Sequence, residues 1–211
     1  MKKIFIRMLL FLLLTPGLFA MGQGEKEVKI GFIGPLTGDY ANYGKLMTQA
    51  IKIAVEERNA AGGIGGRNVV MIAEDSEGKV DKANAAIEKL ASVDKISGLV
   101  GCVFSSSSLA VAPRCEEEQI VMISPSSTHK DLTAKGDYIF RDVVSDGLQA
   151  EVFAKYVAEI MGIKSVAVLY TKNDYSQGLA EGFKDVFEAA GGDVIAMETG
   201  IDFVKTSTGL G

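Results

Sequence analysis

Residues 28–63 read VKIGFIGPLTGDYANYGKLMTQAIKIAVEERNAAGG, one complete strand, loop and helix. Val28 to Ile33 is short, β-branched and apolar, which suits a buried strand. Gly34, Pro35, Thr37 and Gly38 make the loop. From Tyr43 to Asn59 the apolar residues Met47, Ala50, Ile51, Ala54 and Val55 recur every three or four positions, so they share one helix face. Gly62 and Gly63 then close the helix.

The same unit repeats along the chain. Strands are expected at Asn68–Ala73, Ile96–Val103, Ile120–Ser124, Tyr138–Val143, Val166–Tyr170 and Asp193–Met197. Helices are expected at Asp81–Val93, Ser106–Glu118, Asp146–Met161 and Tyr175–Ala190. Alternation of this kind predicts an α/β fold with parallel sheets and helices on both faces. Such a sheet binds ligands beyond the carboxyl ends of its strands. Function is therefore expected in the loops 34–43, 75–79, 104–108, 124–128 and 171–175.

Upstream of the first strand, Lys2, Lys3 and Arg7 precede the apolar run Met8–Leu14, followed by Thr15-Pro16-Gly17. This is the pattern of a secretory signal over residues 1–22, with cleavage expected between Ala20 and Gly24. The run is shorter than the ~20 residues a membrane span needs, and no cysteine near the cleavage point offers a lipid anchor. An exported protein with no direct membrane anchor follows. Its expected parts are a first unit over 23–143 and a second over 144–211, whose pattern drifts from about residue 200.

Of the 22 basic residues three lie in the leader, whereas all 27 acidic ones lie beyond it, so the charge changes from −5 for the whole chain to −8 after cleavage. The remaining Lys and Arg residues form no basic stripe, which argues against nucleic acid and anionic membrane surfaces as partners. Cys102 and Cys115 are the only cysteines. Their separation fits neither a CxxC redox pair nor a zinc knuckle, and a disulfide between them stays open. With no HExxH, cysteine set or acidic calcium loop, no metal and no cofactor are expected. Gly62, Gly63, Gly65 and Gly66 follow a helix and match no phosphate-binding spacing.

Two loops carry candidate binding chemistry. Ser105 to Ser108 follow a strand and open a helix, where free backbone amides and the dipole favour an anion such as a carboxylate. Simple N-capping would account for one of the serines. At Ser124-Pro125-Ser126-Ser127-Thr128, strand-end carbonyls and hydroxyls are placed to accept from an ammonium, or merely to turn the chain. Tyr43 and Tyr175 each open a helix after a strand loop, where an aromatic ring walls a cleft or simply packs. The competing class is a small secreted α/β hydrolase using a serine of the 105–108 run. For that class His129 is the sole histidine and no GxSxG elbow is present. A third is a ligand-free sensory or scaffold fragment acting through its acidic face.

Taken in order, Lys29–Leu36 with Gly38 and Tyr43-Gly44, Asn59–Ile64, Glu74-Asp75, Ser105–Ser107, Ile123-Ser124-Pro125, Arg141, and Asn173-Asp174-Tyr175 with Gly178 resemble the periplasmic leucine/isoleucine/valine-type substrate-binding proteins of ABC importers. The resemblance runs from about Val28 to Met197. It implies the type I periplasmic binding protein fold, with most of the first lobe and part of the second, closing on an amino acid or amide. It implies a partner permease in the inner membrane and no catalysis. Carried over by position, Ser105 in the serine run with Ser106 would meet the ligand carboxylate. The Ser127 carbonyl and Thr128 hydroxyl would meet its ammonium, and Tyr43 and Tyr175 would line the cleft, with Phe104 nearby. The first cysteine of the leucine-type disulfide would fall near Ser76, so that bridge is expected to be missing. Family members are far longer, so the resemblance leaves open a truncated or frameshifted copy and implies that the lobe-two carboxylate answering the ammonium falls beyond Gly211.

Overall fold

The computed structural model describes residues 27–199. The expected export signal with its cleavage point, and the tail from residue 200, lie outside the described residues.

Seven strands alternate with five helices: β1 (Glu27–Gly34), α1 (Ala41–Ala60), β2 (Asn68–Asp75), α2 (Val80–Lys89), β3 (Gly98–Gly101), α3 (Ser105–Glu117), β4 (Val121–Ser124), β5 (Ile139–Arg141), α4 (Asp146–Lys155), β6 (Ser165–Tyr170), α5 (Asp174–Ala189) and β7 (Asp193–Thr199). β1 to β5 form a five-stranded sheet in the order β2-β1-β3-β4-β5, and β6 pairs with β7 in a second sheet. All pairings are parallel, as the strand and helix alternation requires. The chain passes from the first sheet to the second between Arg141 and Asp146.

Boundaries differ from the sequence expectation where backbone geometry overrides composition. The strand expected over Ile96–Val103 shrinks to Gly98–Gly101, and the helix expected from Ser106 begins at Ser105. The two helices expected to run to Val93 and Met161 end in single π-helical turns, Leu90–Asp94 and Tyr156–Ile160.

The first core lies on one sheet face, where α2 and α3 pack Ala83, Ile87, Leu90, Val111 and Cys115 against Ile33, Leu99, Met122 and Ile139. At about 25 cal/mol per Å² of apolar area removed from water, this burial is the main stabilising force. Helix α1 covers the opposite face, but only over β1 and β2. The strand register sets Phe32, Val100, Ile123 and Phe140 in one row across that face. Phe32 is fully buried, yet Ile123 and Phe140 stay 43% and 47% exposed. The apolar stripe expected on α1 is likewise half-covered: among its residues only Gly44 is buried, while Ala50 and Ala54 face solvent. Helical periodicity selects a face, but an adjoining element must exist to cover it. The second core joins Ala150, Ala154, Val157, Phe183 and Phe187 of α4, its π turn and α5 to Val166, Val168 and Val194.

Two residues anchor α1. Gly44 runs so close to the preceding loop that a Cβ there would lie 2.0 Å from the Pro35 carbonyl oxygen. Asn59 imitates a neighbouring strand: its amide nitrogen donates to the Val69 carbonyl at 2.9 Å and its oxygen accepts from the Val69 amide at 2.7 Å. β2 is an edge strand, so without Asn59 that pair of backbone groups has no partner. Asn59→Ala should lower unfolding free energy by about 2 kcal/mol, the usual cost of stranding such groups, and urea denaturation monitored by circular dichroism measures it.

Candidate functional site

The strand order reverses at β1, which has β2 on one side and β3 on the other. At such a switch point the loops after the two central strands diverge and leave a crevice. The loop after β1 brings Tyr40 and Tyr43 to it, and the loop after β3 brings Phe104 and the start of α3. A cleft of about 420 Å³ opens there, bounded across from α3 by Asn173 and Tyr175 of the second unit. Ser105, Ser106, Ser107 and Ser126 form its polar wall. No charged side chain lines it among the described residues.

Helix α3 supplies the donors. Its N-cap is Phe104, with no side-chain cap, so the first amides have no partner within the helix. Ser107 lines the cleft, and its hydroxyl is buried with no hydrogen-bond partner. The Ser106 hydroxyl accepts from the Asp174 amide of α5 at 3.4 Å, a contact between the two units. Another such contact is His129 against Gly178, where an added Cβ would sit 3.0 Å from the imidazole.

Behind the cleft the remaining serines are consumed internally. The Cys102 carbonyl lies 2.7 Å from the Ser124 hydroxyl, 3.1 Å from that of Ser108 and 3.2 Å from that of Ser127. Ser108 and Ser127 meet each other at 2.6 Å. The protons balance: Ser124 and one of this pair donate to the carbonyl, and the other donates to its partner hydroxyl. Ser124 also accepts the Ser127 amide at 2.9 Å.

Of the residues expected at the site, Tyr43, Ser105, Ser106 and Tyr175 come together at the cleft. Ser127 is fully buried in the network just described, and neither it nor Thr128 is part of the cleft wall. The Thr128 carbonyl accepts from the Asp146 amide at 2.8 Å and from Arg141 at 2.9 Å. Its hydroxyl is buried without a well-formed hydrogen bond. Cleft residues that the sequence did not single out are Tyr40, Gly78 and Val103, and Ser126 and Asn173, named there only within longer segments, line it too. Tyr40 stacks edge-on against Phe104, ring centres 5.0 Å apart. Asn173 caps α5 by accepting the Ser176 amide at 2.8 Å.

Asp75, named in the sequence without a role, shapes the β1 loop. One carboxylate oxygen accepts the amides of Leu36 at 2.7 Å, Glu77 at 2.8 Å and Thr37 at 3.3 Å, and the other accepts the Thr37 hydroxyl. Burial raises its pKa, but these donors outweigh burial and hold it below the ordinary carboxylate value. Cys102 and Cys115 are both free and buried, so the disulfide left open by the sequence is not formed. Burial pushes both thiols up, Cys115 to about 12. No hydroxyl of Ser105–Ser108 bonds to His129, whose Nδ1 accepts the Asp131 amide instead. The serine hydrolase alternative thus lacks its base.

A depressed folded-state pKa adds stability above the unfolded pKa of about 4 and loses it as pH falls through the folded value. Asp75→Ala should therefore cost about 2 kcal/mol at neutral pH, from the charged hydrogen bonds lost. The difference from wild type should narrow on acidification below pH ~4; urea titrations at both pH values measure it.

Known proteins align with this geometry. A family profile described as periplasmic binding protein matches residues 27–206. A Leu/Ile/Val-binding protein homolog of Brucella melitensis is 37% identical over 166 residues, 78% of this chain and 45% of that protein. A leucine-, isoleucine-, valine-, threonine- and alanine-binding protein of Pseudomonas aeruginosa is 33% identical over 183 residues, 86% of this chain and 49% of the other. Among solved structures, a branched-chain amino acid transporter substrate-binding protein of Streptococcus pneumoniae, in complex with isoleucine, superposes with TM-score 0.73 at 31% identity, covering 87% of this chain and 53% of that one. A leucine-binding protein of Thermotoga maritima superposes with TM-score 0.75 at 29% identity, with coverages of 87% and 53%. The chain spans about half the length of the relatives it matches. With its switch-point cleft, its parallel sheets and a profile match over most of its length, the chain belongs to the periplasmic binding protein family, in the type I fold.

Proposed function

We propose that the chain provides the first lobe, and part of the second, of an exported receptor that captures a branched-chain amino acid or related amide and delivers it to an ABC permease. It carries out no chemistry. One observation carries the reading: the free amides at the start of α3 open onto a neutral, aromatic-walled cleft at the switch point, whose wall includes Ser105, Ser106 and Ser107. Such a cleft suits a small ligand with a carboxylate and an apolar side chain. Relatives named for leucine, isoleucine and valine support the ligand class. The apolar leader supports export, and no helix among the described residues is long and apolar enough to cross a membrane.

In this reading Ser105 and Ser106 hold the carboxylate, and Tyr43 and Tyr175 flank the side chain. Charge-assisted hydrogen bonds of this kind contribute roughly 1.5 to 3 kcal/mol each. The expected ammonium contacts, Ser127 and Thr128, lie behind Ser126 and outside the cleft wall.

Amide chemical-shift titration with L-leucine tests this. Saturable shifts are expected at Ser105, Ser106 and Ser107. Absence of shifts at these amides, or shifts confined to the second unit, refutes the site.

A further inference from the structure

Helix α4 and the π turn that extends it are apolar on two faces. One face packs inward, where Ala150, Ala154, Val157 and Ala158 belong to the second core. On the other, Leu148, Val152, Tyr156 and Ile160 recur at every fourth position, with Phe153 beside them. All five are open to solvent, from 52% for Tyr156 to 71% for Ile160. A helix on a protein surface needs a single apolar stripe, and one that is apolar on both sides is ordinarily covered on both.

The stripe has the size and the charge pattern of an interface. With Val144 at the helix entry, its side chains present roughly 700 Å² of accessible surface, near the ~800 Å² that each partner contributes to a standard interface. A concavity of about 580 Å³ runs along it, lined by Val144, Leu148, Val152, Phe153 and Tyr156 among others. Spacing at i and i+4 builds the ridge that seats in the matching groove of a second helix. Such a pattern is self-complementary. A two-fold axis beside Val152 that sets two copies antiparallel brings Leu148 of each against Tyr156 of the other. The rim then matches as well, because Lys155 of each copy faces Glu151 of the other, whereas a parallel pairing sets Lys155 against Lys155. Within one chain these two residues already pair at 2.6 Å. An anionic membrane does not suit the same face, since the helix and its turn carry Asp146, Glu151 and Glu159 against Lys155 alone.

We propose that the chain self-associates through this face, as a two-fold dimer with α4 antiparallel to its copy. None of the stripe residues lines the cleft, so the dimer stands or falls independently of the amino-acid reading.

Sedimentation equilibrium of the full chain between about 1 and 100 µM tests it, with a monomer–dimer transition of roughly 10 µM expected. Val152→Lys sets two ammonium groups beside the axis and should weaken the dimer more than about tenfold. Its position is exposed, so far-UV circular dichroism should match wild type; where it does not, the rim variants alone decide. Glu151→Lys should weaken the dimer about fivefold, and adding Lys155→Glu should restore it, since the swapped charges again match across the axis. Ile123→Thr, on the open face of the first sheet, should change it by less than about twofold. A chain that stays monomeric at about 100 µM overturns the proposal, as it would if residues 200–211 cover the stripe. So does association that ignores Val152→Lys or the rim variants, which would then come from the apolar run 8–14, and so does a dimer dissolved by Ile123→Thr. A loss with Glu151→Lys that Lys155→Glu fails to restore overturns the antiparallel pairing.

Discussion

The Cys102 carbonyl ties the end of β3, the start of α3 and the loop after β4 to one point through three serine hydroxyls. These hydroxyls are buried, so each must find a protein partner, and the network provides one with no donor left over. Its interior position decides which serines reach the cleft. Ser108, Ser124 and Ser127 turn inward, and Ser105, Ser106, Ser107 and Ser126 are left along the wall. A polar cluster inside an otherwise apolar core is stable only when fully satisfied, and satisfaction also makes it rigid. The free amides at the start of α3 are held in place by hydrogen bonds that lie behind the cleft.

On the opposite side of the switch point the same economy appears in Asp75, which gathers the loop after β1 as the Cys102 carbonyl gathers the others. One anchor is an acceptor on the backbone and one is a carboxylate. Both hold loops at strand ends, where the sheet no longer supplies partners. Asp146 differs in kind: it is as deeply buried as the serines, but its oxygens remain unsatisfied.

The architecture was legible in the sequence wherever a local pattern suffices. Val28 to Ile33 and Ile120 to Ser124 are apolar and β-branched, and their alternation with amphipathic runs leaves few topologies besides a parallel sheet. Tyr43, Ser105, Ser106 and Tyr175 were legible because they follow strands, and strand ends are where such sheets bind. The roles of Asp75, Ser126 and Asp146 were not, since an acid or a hydroxyl in a turn looks the same whether it is solvated or pinned by residues far along the chain. The stripe on α1 was legible as periodicity and misleading as burial. Its partner would have to come from outside the residues that carry the period. The π turns after α2 and α4 leave no compositional trace.

The row formed by Val100, Ile123 and Phe140 has a bearing on how the protein handles in solution. Two of its three side chains meet water across an open sheet face, and water structured over such a face is released when another surface meets it. Lyotropic salts such as ammonium sulfate reinforce that release, and so does warming at ordinary temperatures. The chain is therefore built to salt out early and to be retained by hydrophobic chromatography media, despite its acidic exterior.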